Sequence, residues 1–151
     1  MSFNFLVTHG NRTHIDSIAR FQVEMAMESE GLALDPERVS KGVHAVMEDE
    51  NKGQYIVATV DEVPVGSLMI TREWSDWNAS WYWWIQSVYV MPQYRKQGIF
   101  KAMYNKVLEL AGNEGISQVR LYVDKHNFPA QEVYQKLGMA ECHYSMYEVE
   151  L

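Results

Sequence analysis

Arg95-Lys96-Gln97-Gly98-Ile99-Phe100 decides how this chain of 151 residues is read. It follows an apolar stretch ending near Met91-Pro92 and precedes a helical pattern running to about Ala111, so it is a strand-to-helix turn punctuated by glycine. A turn of this kind aims bare backbone N–H groups and the positive end of a helix dipole at one spot, which suits a phosphate. The charge distribution agrees. Residues 91–106 hold Arg95, Lys96, Lys101 and Lys106 and no acid, in a chain whose formal net charge is −7. The rest of the surface is therefore acidic, which argues against a nucleic-acid partner and is more compatible with cationic substrates.

On the N-terminal side of that turn, Trp81 to Val90 is apolar on both faces apart from Gln86 and Ser87, the pattern of a central strand covered by helices on each side. A polar loop is expected from Glu73 to Ser80. Before it, Tyr55–Val60 and Val65–Thr71 read as strands joined through Asp61-Glu62-Val63-Pro64 into an antiparallel hairpin. Asp35-Pro36-Glu37 is a helix start, and Val39, Val43, Val46 and Met47 form its apolar stripe until Asn51-Lys52-Gly53 stops it. Phe3 to Thr8 reads as a first strand. Asn11 or Thr13 caps the helix carrying Ile15, Ile18, Phe21 and Met25, which Gly31 ends.

On the C-terminal side, Ile99, Met103 and Val107 form one stripe with Phe100, Tyr104, Leu108 and Ala111 beside it. Gly112 to Gly115 break the helix, and Gln118 to Val123 is a short strand. Asn127 caps a last helix with Ala130, Val133, Tyr134 and Leu137 facing inward, and Gly138 closes it. Met139 to Leu151 alternates well enough for one or two final strands. The order β-α-α-β-β-β-α-β-α-β-β, without repeats or linkers, describes one α/β domain over residues 1–151 built around a mixed sheet.

An apolar fraction of 47% with 22% charged residues matches a soluble globular protein rather than a disordered one. The chain is long enough to bury a core without disulfide or metal staples. The single Cys142 cannot form an internal disulfide, and no charged-then-apolar leader opens the sequence, so a reducing, cytoplasmic location is expected. Cys142 itself reads as a small core residue. The longest apolar stretch is too short to cross a bilayer, so no membrane partner is expected. His9, His14, His44, His126 and His143 are scattered without ligand spacing, and no metal site is expected. Neither G-x-x-x-x-G-K-S/T nor G-x-G-x-x-G occurs, so a P-loop and a dinucleotide fold are unsupported.

What remains is a strand, Pro92, Arg95-x-x-Gly98-x-Phe100, a helix, a strand, and then Asn127-x-x-Ala130-x-x-x-Tyr134-x-x-x-Gly138-Met139. This resembles the GCN5-related N-acetyltransferase (GNAT) superfamily, whose acetyl-CoA signature is Gln/Arg-x-x-Gly-x-Gly/Ala directly after the fourth strand. The resemblance covers the whole element order and is sharpest from Gln86 to Met139. Phe100 stands where the signature has a small residue, so its ring must turn into the helix packing. The resemblance implies a GNAT-type acyl-CoA N-acyltransferase fold, with a mixed, mostly antiparallel central sheet flanked by helices and splayed between strands 4 and 5.

Carried onto this chain, the resemblance implies that main-chain groups of Val88, Tyr89 and Val90 pair with the pantetheine arm of acetyl-CoA. Amides from Arg95 through Lys96, Gln97, Gly98, Ile99 and Phe100 to Lys101 would hold the pyrophosphate. Side chains of Arg95, Lys96 and Lys101 would supply charge around the phosphates, and Asn127 would reach the pantetheine arm, cap its helix, or both. Tyr134 would protonate the departing thiolate, whose thiol pKa of about 8.5 lies below the roughly 10 of tyrosine. The attacking amine, with an ordinary pKa of about 10.4, must first lose a proton. Glu24, Glu28 and Glu30 border the acceptor groove in this family. Glu28 or Glu24 would be the base, with a water relay as the alternative and Gln86 and Ser87 as groups able to order that water. A backbone N–H near Val88 or Tyr89 would face the carbonyl oxygen.

The expected activity is transfer of acetyl to a primary amine, on a small molecule or a peptide, in a ternary complex. Phe100 and the lack of an obvious base leave a non-catalytic acyl-CoA-binding or regulatory module as the rival. Trp74, Trp77, Trp81, Trp83 and Trp84, with Glu73 and Asp76 among them, outline either an acceptor pocket for an amine or core and association surface. An exposed aromatic patch of this kind leaves a homodimer open.

Overall fold

Two consecutive hairpins, β2–β3 and β3–β4, order the sheet. The computed structural model describes residues 4–151, and in it β2 (Gln54–Val60) and β3 (Val63–Ser75) are joined by two residues alone. Asp61 and Glu62 both take positive φ, 49° and 66°, the backbone whose twist matches that of paired strands. β1 (Leu6–His9) pairs antiparallel with β2, and β4 (Ser80–Val90) pairs antiparallel with β3. β5 (Gln118–Arg120) runs parallel to β4, so the sheet is mixed with the order β1-β2-β3-β4-β5. Phe3, expected to begin the first strand, lies outside the described residues.

The helices start where their caps dictate. Asn11 caps a short 3-10 turn at Arg12–His14, its Oδ1 accepting from the Thr13 amide at 2.9 Å, and the turn runs straight into α1 (Ile15–Glu30). Gly31 ends α1 in the left-handed conformation. Asp35 accepts from the Glu37 amide at 3.0 Å and Pro36 opens α2 (Pro36–Glu48). β2 is buried on both faces. Tyr55 and Val57 join Ile15, Ile18 and Val43 in one cluster with α1 and α2, while Ile56 and Ala58, pointing the other way, are equally buried. α3 (Ile99–Asn113) packs on the same strand and buries Ile99, Met103 and Val107, the expected stripe, whereas Leu108 beside it is exposed.

The chain divides into two compact units, Met1–Leu121 and Tyr122–Leu151. The second holds α4 (Phe128–Lys136), capped by Asn127 whose Oδ1 accepts from the Ala130 amide at 3.2 Å, and closed by Gly138 at φ 95°. The structure differs from the sequence reading at several places. β3 continues through Glu73 and Trp74 to Ser75, leaving only a four-residue turn before β4, because cross-strand contacts outweigh local polarity there. Trp74 faces Trp81 with ring centroids 5.1 Å apart, and the Trp84 indole donates to Glu73 at 2.8 Å. β5 stops at Arg120 instead of Val123. Of the expected inward stripe of α4, Ala130, Tyr134 and Leu137 are half-buried and Val133 is exposed. Among the described pairings none falls in Met139–Leu151, where strands were expected. Cys142 lies in that segment and is exposed, so it is not a core residue.

Candidate active site at the opening beside β4

β4 is irregular at one place. Between the pairs Ser67–Tyr89 and Met69–Gln86, a single β3 residue, Leu68, faces two β4 residues, Ser87 and Val88. Ser87 takes φ 54°, which a non-glycine residue rarely adopts without a local cause. The result is a bulge, which bends the strand and strengthens its twist. Gly66 sits against it: a Cβ there would lie 2.9 Å from the Tyr89 carbonyl oxygen, so only a glycine lets β3 approach this closely. On the other side of β4, the parallel ladder to β5 covers only Tyr82, Trp83 and Trp84. Among the described pairings, none falls on that side of the strand from Ile85 to Val90.

The turn after β4 leads directly to a helix amino end. Lys96 and Gly98 both take positive φ, 61° and 84°, and Gly98 is the N-cap residue of α3 without any side-chain cap. The first helical bond runs from the Ala102 amide to the Gly98 carbonyl at 3.0 Å, so the amides of the first turn, Ile99 and Lys101 among them, point out of the amino end of the helix. No acid occupies the first turn of α3, and nothing crowds the position where a Gly98 Cβ would stand. The Ile99 side chain is buried beneath this amide cluster, and the Phe100 ring turns along the helix to lie 6.2 Å from Tyr104. The large side chain at 100 therefore does not remove the amide that the turn presents.

The charged residues are arranged differently from the expectation. Arg95 forms a two-pronged ion pair with Glu28, Nη2 to Oε2 at 2.9 Å, and its Nε donates to the Val90 carbonyl at 2.8 Å. The guanidinium also lies over the Tyr89 ring, 5.4 Å from its centroid. The Tyr89 hydroxyl in turn donates to Glu24 Oε2 at 3.2 Å. Arg95 thus ties α1 to the end of β4, which leaves Lys96 and Lys101, both exposed, as the side-chain cations of the turn. It also takes the Val90 carbonyl, whereas the Tyr89 carbonyl faces Gly66 on β3. The hydrogen bond from Arg95 holds the Glu28 carboxyl below its ordinary range, which makes it a weaker base. Burial, and then the bond to Glu24, push the Tyr89 phenol up. These contacts link residues more than sixty positions apart, and no local pattern announces them.

In the second unit, Asn127 is a helix cap and Tyr134 is half-buried, with its phenol pushed above the ordinary tyrosine value by burial. The tryptophans do not form one wall. Trp83 belongs to the core, its Nε1 buried without a protein partner, while Trp74, Trp77 and Trp81 are exposed at the far end of the β3–β4 hairpin. A groove of about 420 Å3 lined by Tyr55, Ile70, Arg72 and Trp83 lies at the paired end of β4, away from the bulge.

A bulged strand followed by a glycine turn into a helix amino end without a side-chain cap is the arrangement at this place in the fold. The description of the acetyltransferase (GNAT) family matches residues 21–139, and the chain belongs to that family. A crystal structure from Clostridium difficile 630, described as a possible acetyltransferase, is 42% identical, with 97% of each chain covered and a TM-score of 0.91. Thialysine N-epsilon-acetyltransferase of Mus musculus is 47% identical over 55 residues, 36% of this chain and 32% of that protein. The chain thus matches about a third of the length of that curated relative. An aminoglycoside N-acetyltransferase solved with CoA shares the fold, with a TM-score of 0.80 at 16% identity over 99% of this chain and 97% of that one.

Proposed function

We propose that the protein transfers an acetyl group from acetyl-CoA to a primary amine by direct attack in a ternary complex. The feature that carries this reading is the Ser87–Val88 bulge in β4, followed by the amino end of α3 at Gly98, which no side chain caps. A long thioester needs both: a strand edge for the amide groups of its arm, and an anion site for its pyrophosphate. Main-chain groups of Val88 and Tyr89 would pair with the arm, and an amide there would face the thioester carbonyl oxygen. Amides from Arg95 to Lys101, with Lys96 and Lys101 as nearby cations, would hold the phosphates. Asn127 would bind the arm and Tyr134 would protonate the departing thiolate. A phenol whose pKa is raised stays protonated across the working pH range and so remains a donor.

Of the two carboxylates proposed as base, Glu24 is the better suited. Glu28 is neutralised by Arg95, whereas Glu24 is held beside β4 by the Tyr89 hydroxyl and can take the amine proton directly or through water. The names of relatives, thialysine and aminoglycoside acetyltransferases, favour a small cationic amine over a peptide as acceptor. A thiol-release assay with acetyl-CoA and a panel of lysine analogues, polyamines, aminoglycosides and peptides tests the proposal. Release of CoA with at least one amine is expected. Tight acetyl-CoA binding with no release across the panel would instead establish a non-catalytic acyl-CoA-binding module.

A further inference from the structure

α1 is held by packing along its first half and by two polar ties along its second. Ile15, Ile18 and Phe21 are buried, and the Phe21 ring lies 5.4 Å from that of Tyr89 on β4. Beyond them only Gln22 and Ala26 are buried, and residues 27–30 are all exposed. With so little apolar surface covered, the place of that end depends on what its carboxylates hold. Glu24 accepts from the Tyr89 hydroxyl at 3.2 Å, and Glu28, one turn further on, accepts from Nη1 and Nη2 of Arg95. Arg20 also lies 3.9 Å from Glu24, but on α1 itself, so that contact ties the helix to nothing else. The two-pronged pair fixes direction as well as distance, because a guanidinium fork meets a carboxylate in one plane. Arg95 is itself anchored twice: Nε donates to the Val90 carbonyl at 2.8 Å, and the guanidinium lies over the Tyr89 ring. Each of its three nitrogens therefore already has an acceptor, so reaching a phosphate would mean giving up Glu28, Val90 or both.

We propose that Arg95 is a positioning residue for the amine side of the reaction instead of a phosphate ligand: by gripping Glu28 it sets the carboxyl-terminal end of α1, and through it the place of Glu24 against Tyr89. The inference rests on the acetyl-transfer reading above, in which Glu24 takes the amine proton. It divides the turn between two tasks. The backbone amides at the start of α3, with Lys96 and Lys101, serve the phosphates, while the Arg95 side chain points back to the helix that carries the base. A general base works only within hydrogen-bond reach of its proton, and displacement by about 1 Å can lower a rate by about 10²-fold. A contact that adds little to folding can thus matter to turnover. Lysine is not equivalent here, since a single ammonium can meet Glu28 but presents no planar fork.

Wild type, Arg95→Gln, Arg95→Lys, Glu28→Gln and the Arg95→Gln/Glu28→Gln double variant decide the matter, and because the pair is exposed all should fold. In hydrogen exchange, the amides of residues 25–30 should exchange about five-fold faster or more in either single glutamine variant. Calorimetry should give an acetyl-CoA dissociation constant for Arg95→Gln within about two-fold of wild type. At saturating acetyl-CoA, kcat/KM for an accepted amine should fall by about five-fold or more in both glutamine variants. It should fall no further in the double variant and recover in part in Arg95→Lys. Acetyl-CoA binding weakened several-fold by Arg95→Gln, or tightened by Glu28→Gln, would put the guanidinium on the phosphates and overturn the proposal. So would unaltered exchange at the end of α1, or two losses in kcat/KM that multiply. If neither wild type nor any variant releases CoA with any amine, the acetyl-transfer reading fails by itself, while exchange and acetyl-CoA titrations still decide what Arg95 holds.

Discussion

At the scale of single residues, Arg95 is the side chain whose placement changes the reading of the site most. A surface ion pair contributes about 0.2–1 kcal/mol, and the Arg95–Glu28 pair, roughly half-exposed on both sides, belongs in that range. Because the carboxyl is lowered from its ordinary 4.5 in the folded protein, its contribution is complete above that value and is lost as pH falls through the folded-state value. Arg95→Gln should therefore cost up to about 1 kcal/mol at pH 7 and less at pH 3, read as the difference in urea midpoints at the two pH values. An equal cost at both would mean that packing on Tyr89, not charge, is what Arg95 supplies. Tyr134→Phe removes one hydroxyl and leaves the ring. If Tyr134 is the proton donor, turnover falls by about 10²-fold or more while the dissociation constant of acetyl-CoA, measured by calorimetry, stays within about two-fold. Unchanged turnover removes Tyr134 from the mechanism.

At the scale of elements, two glycines separate local from tertiary demands. Gly42 lies inside α2 with open space at its missing Cβ and no positive φ, so Gly42→Ala should stabilise the protein by up to about 1 kcal/mol through helix propensity. Gly66 faces the bulge at 2.9 Å, so Gly66→Ala should cost about 1–3 kcal/mol and weaken acetyl-CoA binding, because β4 must move to admit the methyl group. Thermal melts of the two variants should therefore shift in opposite directions; a neutral Gly66→Ala would mean that the bulge does not depend on close approach. The same contrast shows what the sequence could express. Asp35-Pro36, Asn127 and Gly31 act on atoms within a few residues, so the ends of α1, α2 and α4 are legible from the letters. Ser87 adopts its left-handed backbone only because β3 and β4 are out of step by one residue, and nothing near Ser87 in the chain records that. The extension of β3 to Ser75 was hidden likewise, since Trp74 and Glu73 find their partners across the hairpin.

At the scale of the whole molecule, the element order as far as α4 and the glycine turn before α3 were legible because both depend on hydrophobic period and glycine position. The Arg95–Glu28 pair was not, since it joins groups remote in the chain. Charge is a property of the same scale. A net charge of −7 repels a polyanionic thioester, yet the four cations of residues 91–106 attract it, and the two effects respond differently to salt. An acid farther off than the screening length of about 10 Å contributes little at 0.1 M, whereas a phosphate at the α3 terminus would sit within a few ångströms of Lys96 and Lys101. Local attraction should therefore govern, and acetyl-CoA affinity should fall as salt is raised from 0.1 M towards 1 M, where screening reaches about 3 Å. Replacing Lys96 and Lys101 together by glutamine should weaken binding several-fold at 0.1 M and flatten that salt dependence. Calorimetric titrations of acetyl-CoA at three ionic strengths decide the matter: affinity that rises with salt, or a double variant with an unaltered slope, would place the phosphates somewhere other than this turn.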